Sequence, residues 1–156
     1  MSPGSLKRFQ LLAELEEDEG EAIAEELEAV DLPAGVELFG EGEQAEGLCF
    51  VASGGLRLES TQPGAAVVEV GPGAALGGLS LVTGGARAVR AVTMAPTRVL
   101  VLRRSSFQRF ADMQPRAACR LLEAILRDAA RIGREALLLL QESAGAVGVD
   151  PVRSDH

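Results

Sequence analysis

Four glycines and one arginine within residues 77–89 make the clearest chemical pattern in this sequence. The stretch reads GGLSLVTGGARAV: Gly77-Gly78 precede the short run Leu79-Ser80-Leu81, Gly84-Gly85 turn the chain, and Ala86-Arg87-Ala88-Val89 follow. Glycine lets the main chain approach a ligand closely, and a short helix starting at such a pair aims free N–H groups at an anion. Arg87 would add charge-assisted hydrogen bonds to the anion's oxygens, and the amides of Ala88 and Val89 would add further donors. Taken singly, the glycines are ordinary turns and Arg87 an ordinary strand residue. Taken in this order and spacing, they favour a cradle for a small anion.

Other chemistries lack their residues. The single histidine, His156, ends the chain, so a histidine-based triad or metal site has no candidate. The single lysine is Lys7, which excludes a phosphate loop of the GxxxxGK[ST] type. Gly78-Leu79-Ser80-Leu81-Val82 resembles a nucleophile elbow, but it lacks the closing glycine and any base. Glu41 and Glu43 lie in a turn region, where solvated carboxylates are the default. The chain therefore reads as a non-enzyme with no metal and no cofactor.

The elements that position the cradle follow from composition and pattern. A chain of 156 residues is one domain's worth, and 47% hydrophobic residues give it a real core. With five phenylalanines and no Trp or Tyr, that core must be largely aliphatic. Cys49 and Cys119 fit no metal or redox spacing and read as buried free thiols in a reducing compartment. The N-terminus has no apolar signal region, and the longest plain apolar run, Ala136–Leu140, is too short for a bilayer, so the expected location is cytoplasmic with no membrane contact. Net charge is −8 and is already reached within residues 1–31, while residues 103–134 carry eight arginines against three acids. Two helix faces of opposite sign, docked on one another, account for this better than a nucleic-acid surface in an acidic chain.

The pattern predicts helix, then strands, then helix: helices over 5–30, a β-roll over 33–103, helices over 105–141, and a flexible tail over 142–156. Asp18-x-x-Glu21 is a capping box, and Ile23, Leu27 and Val30 form one stripe. The segments VELF, LCFVAS, GLRLES, AAVVEV, RAVRAVT and TRVLVL, separated by glycine turns, predict an antiparallel sandwich or barrel. Ser105-x-x-Gln108 caps a short helix presenting Phe107 and Phe110, and Pro115 suits the first turn of a long helix. On that helix Leu122, Ile125, Ala129, Ile132, Ala136 and Leu139 keep a 3-4-3-4-3 spacing, the mark of a helix–helix seam. The alternative partner for that seam is the protein's own β-roll.

The segments LFGEGEQAEGLCFVASGGLRLE, VGPGAALGGLSLVTGGARAVRAVT and VLVLRRSSFQRF, taken together, resemble the cyclic nucleotide-binding domain over about residues 10–140. The resemblance implies a mainly β fold, an antiparallel β-roll or jelly-roll with N-terminal helices and a long C-terminal helix. It makes residues 76–89 the phosphate-binding cassette, with Gly77, Gly78, Leu79, Ser80, Arg87, Ala88 and Val89 as ligand-binding residues and cyclic AMP or cyclic GMP as ligand. It also implies a homodimer through the C-terminal helix. Nothing after Leu140 fits the helix-turn-helix, kinase or channel that the family often carries, so a standalone sensor is expected, its output passing through a protein partner that the sequence does not name.

The cassette departs from the family pattern. Gly78 stands where the family has a glutamate that accepts a hydrogen bond from the ribose 2′-hydroxyl; Ala86 replaces a proline and Leu76 a phenylalanine. A hydrogen bond to a charged group contributes about 1.5–3 kcal/mol, so its loss predicts roughly 10- to 150-fold weaker binding. Ser80 or Thr83 offers a hydroxyl in its place, not a carboxylate. Two readings result: a sensor that binds a cyclic nucleotide weakly, or a degenerate fold that has become a protein–protein interaction adaptor.

Overall fold

The short apolar segments between glycine turns are strands, as their alternation predicts. The structure, a computed structural model, describes residues 9–65, 67–78, 81 and 84–146, with main chain alone at residue 10 and residues 131–146. Among these residues eight strands form two antiparallel sheets. One sheet has the order β1 (Glu28–Leu32), β8 (Thr97–Arg103), β3 (Gly47–Ser53), β6 (Ala75–Leu76). The other has the order β2 (Glu37–Phe39), β7 (Arg90–Thr93), β4 (Leu56–Glu59), β5 (Val68–Val70). Helix α1 (Glu17–Glu26) precedes the roll; α2 (Arg104–Met113) and α3 (Pro115–Ala146) follow it.

Two cores explain why β3 is an unbroken apolar run. Leu48, Phe50 and Ala52 face the helices, where they pack with Phe9, Leu12, Ile23, Phe107, Phe110 and Leu121. The alternate residue Val51 faces the sandwich interior with Phe39, Leu56, Ala91 and Val99. A strand covered on both sides loses its polar face, and β3 is buried from Gly47 to Ala52. Phe9 and Phe50 meet at 4.9 Å between ring centroids with the rings tilted by 51°, a favourable aromatic geometry.

The opposite charges of the N- and C-terminal parts do meet. Glu14 pairs with Arg127, Glu19 with Arg120 and Glu26 with Arg109, holding the acidic segment against the basic helices. The exposed pairs contribute little individually. Glu19 is buried and also accepts the Glu16 N–H at 2.9 Å.

Several expected boundaries are corrected. The first helix ends at Glu26, and Glu28–Leu32, with residues 28–30 expected to be helical, is a strand paired antiparallel with Thr97–Val101. Val30 consequently sits opposite Val99 rather than on a helical stripe, because long-range pairing with β8 outweighs a local 3.6-residue period. The capping box lies two residues earlier than Asp18 and Glu21, at Glu16 and Glu19. Helix α2 begins at Arg104 without a side-chain cap, so Ser105 caps nothing. Helix α3 continues to Ala146, beyond the expected end at 141, as no proline interrupts residues 142–146; the rest of the expected tail, 147–156, lies outside the described residues.

Candidate functional site

Two segments distant in sequence build the anion cradle. Strand β6 pairs with β3 through Cys49 opposite Leu76, which brings Gly77 beside the start of β3. Gly77 has φ +82°, a left-handed conformation that favours glycine, and a Cβ there would overlap the Arg87 guanidinium. The second segment runs antiparallel to residues 42–45. The Ala45 N–H donates to the Gly85 carbonyl at 2.7 Å, the Arg87 N–H to the Glu43 carbonyl at 2.7 Å, and the Gly42 N–H to the Arg87 carbonyl at 2.8 Å. The Arg87 main chain is thereby held on both sides.

The Arg87 side chain enters a cleft of about 330 Å³ at the open end of the sandwich, lined also by Phe39, Glu43, Gly47, Cys49 and Arg103. Its Nη2 donates to the Gly47 carbonyl at 3.1 Å, and its guanidinium carbon lies 4.3 Å from the centre of the Phe39 ring, within cation–π range. Among the described residues, Arg57, Arg90, Arg98, Arg103, Arg109, Arg120 and Arg127 each have a carboxylate partner, whereas no carboxylate lies within 4 Å of the half-buried Arg87. A guanidinium placed this way keeps its charge available for an incoming anion. Burial pushes the Cys49 thiol above its usual range, and the neighbouring Arg87 partly opposes the shift.

The structure separates the two glycines that the sequence places together. Gly77 faces Arg87; Gly78 faces α3, where a Cβ would lie 3.1 Å from Ile125 Cγ2. Leu81 is buried, and its N–H donates to the Gly78 carbonyl at 3.1 Å, closing the cassette turn. Leu79 and Ser80 lie outside the described residues, as does Thr83. Ala88 is exposed in a bend, and Val89 is half-buried with its side chain on the sandwich core.

The expected dimer seam divides in the same way. Ile125 is 3% exposed and packs within its own chain, so it is not available to a second subunit: β-branched bulk at 125 fills the space that Gly78 leaves. Leu122 is half-buried against the same core and Ala129 is half-buried. Ile132, Ala136 and Leu139 lie on α3, in the part whose side chains are outside the described residues.

Phe39, Gly47 and Cys49 are the cleft residues that sequence reasoning missed. Phe39 is 48 positions from Arg87, and the pairing of β2 with β7 and of residues 42–45 with 85–87 brings them together. No local period carries that signal. Among the described residues no group of His, Cys, Asp and Glu could hold a metal ion, and no helix is long and apolar enough to cross a membrane.

The surroundings of Gly78 change what a restored carboxylate should do. The backbone there is not left-handed, so Gly78→Glu meets no φ strain, but its Cβ must displace Ile125. Overpacking of this kind costs about 1–3 kcal/mol. The expected result is a lower melting temperature and faster hydrogen exchange over residues 121–128 without ligand. Unchanged exchange there would show that α3 accommodates the side chain in place.

The sequence profile of the cyclic nucleotide-binding domain matches residues 29–114. No curated protein sequence gives a significant match. Among solved structures, the N-terminal domain of a transcriptional regulator from Streptomyces coelicolor A3(2) is 27% identical with a TM-score of 0.74, over 85% of this chain and 94% of that one. Thermus thermophilus catabolite activator protein is 28% identical with a TM-score of 0.73, over 84% of this chain and 62% of that one. The regulatory domain of Toxoplasma gondii PKA, solved with cAMP, shares the fold at 23% identity and a TM-score of 0.67, over 84% of this chain and 49% of that one.

Proposed function

The chain belongs to the cyclic nucleotide-binding domain family, and on that premise we propose that it is a non-enzymatic sensor that binds cyclic AMP or cyclic GMP through Arg87 and the Gly77–Ser80 turn. The observation that carries this reading is the half-buried Arg87 guanidinium, fixed over Gly77 with a main-chain carbonyl and an aromatic face as partners and, among the described residues, no carboxylate within 4 Å. The exocyclic oxygens of a cyclic phosphate bring the negative charge that this arrangement lacks. With glycine at 78 no side chain there accepts from the ribose, which places the affinity about 10- to 150-fold below that of a cassette with the carboxylate. Calorimetric titration with cyclic AMP, cyclic GMP and cyclic dinucleotides tests it: saturable binding of a cyclic mononucleotide is expected, and heat of dilution alone for every ligand would reject it.

The close approach of Ile125 to the space beside Gly78 favours a second reading, in which the β-roll serves as a protein-interaction adaptor. The titration separates the two, since only the adaptor is indifferent to nucleotide.

A homodimer through α3 belongs to the same proposal. With Ile125 turned inward, α3 leaves Leu126, which is 61% exposed, as its large outward apolar side chain among the described residues, with Ala129 half-buried beside it. A large exposed apolar side chain beside the seam supports helix pairing. Analytical ultracentrifugation should show a concentration-dependent dimer that Leu126→Glu shifts to monomer; a wild-type monomer at all concentrations would remove the dimer.

A further inference from the structure

Phe39 reaches Arg87 because strand β2 carries an extra residue. In the antiparallel pairing of β2 with β7, Glu37 lies opposite Val92 and Phe39 opposite Ala91, so two steps along β2 match one along β7. Side chains two apart on a regular strand share a face, and a bulge of this kind re-aims the one that follows it. Glu37 stays outside, where it accepts from Arg90 Nε at 2.8 Å. Phe39 turns inward and is 8% exposed, packed in the sandwich core with Val51, Leu56, Ala91 and Val99. Its ring centre lies 4.3 Å from the Arg87 guanidinium carbon.

A guanidinium carries its N–H donors around its edge and presents two flat faces. The Gly47 carbonyl takes one Nη2 donor at 3.1 Å, and Nη1 lies against Gly77. Phe39 attracts the charge through a face, so it uses none of the donors that an anion needs. We propose that Phe39 is a positioning residue for the cleft: its ring face holds the Arg87 guanidinium in the orientation that receives the ligand's phosphate. The inference rests on the nucleotide-binding reading above and adds a residue to that site. Phe39 has no donor and no charge of its own, so its effect on the anion passes through Arg87. An arginine side chain that must be ordered on binding weakens affinity by about two- to tenfold, and one already held over a ring avoids that loss.

The test is calorimetric titration with cyclic AMP and cyclic GMP of the wild type, Arg87→Ala, Phe39→Leu and a protein carrying pentafluorophenylalanine at position 39, beside thermal unfolding of each without ligand. Leucine is apolar but offers no aromatic face. Pentafluorophenylalanine keeps the shape of the ring and reverses the charge of its face, so a merely structural role would leave the affinity at the wild-type value. Both changes at position 39 are expected to weaken binding by about two- to tenfold, the fluorinated protein with little change in melting temperature. The fluorinated protein decides the matter alone if Phe39→Leu fails to fold. Wild-type affinity in either folded variant, where the wild type binds through Arg87, overturns the positioning role and leaves the nucleotide reading standing. Binding in none of the proteins, or binding undiminished by Arg87→Ala, overturns both.

Discussion

Gly47→Ala is expected to destabilise the protein by about 3 kcal/mol and to lower its melting temperature by roughly 10 °C. Gly47 opens β3 and pairs with Arg103 of β8. A Cβ there would overlap the Leu102 carbonyl oxygen and lie 2.9 Å from the Arg103 Cα. These are main-chain atoms at the end of the β3–β8 ladder, so no side-chain rotation relieves the overlap and the two strands must separate there. The Gly47 carbonyl also accepts from Arg87, so the same substitution should loosen the cleft wall. Gly71→Ala is the matched control: Gly71 is exposed, has no left-handed φ, and has no atom within 4 Å of an added Cβ. Its melting temperature should stay level or rise slightly, since alanine restricts the unfolded chain. Thermal unfolding of the two variants side by side checks both statements, and a stable Gly47→Ala would show that β3 and β8 are not held as closely as described.

The strand content was legible because β3, β4, β5, β7 and β8 are short apolar segments set between turn residues. Strand β1 was not, because Glu28–Leu32 is continuous with an acidic helical pattern and becomes a strand only by pairing with β8. The two-residue β6 was equally hidden; Ala75–Leu76 carries no period, and its importance lies in placing Gly77. At the site, Arg87 and Gly77 were legible from residue type and spacing. Their partners Phe39 and Gly47 were not, because they come from strands placed beside the cassette by sheet order alone. The heptad spacing on α3 was real but ambiguous: it marked an apolar stripe without saying which residues of it turn inward, and Ile125 turned to the cassette. A period shows that a face is buried; only the fold shows what buries it.

The central claim is that Arg87 holds an anion. Removing its guanidinium takes away at least two hydrogen bonds to a charged phosphate at about 1.5–3 kcal/mol each, which corresponds to at least about a hundredfold loss of affinity. Stability should change little by comparison, because Arg87→Ala strands no buried carboxylate and removes one exchangeable hydrogen bond and one cation–π contact, together about 1–2 kcal/mol. Arg87→Lys, which keeps the charge but not the fork of donors, should fall between. Titration of wild type and Arg87→Ala with cyclic AMP and cyclic GMP, beside thermal unfolding of both without ligand, is the most direct measurement. Binding lost in a protein that still folds is the predicted result; equal affinity in the two proteins would contradict the account.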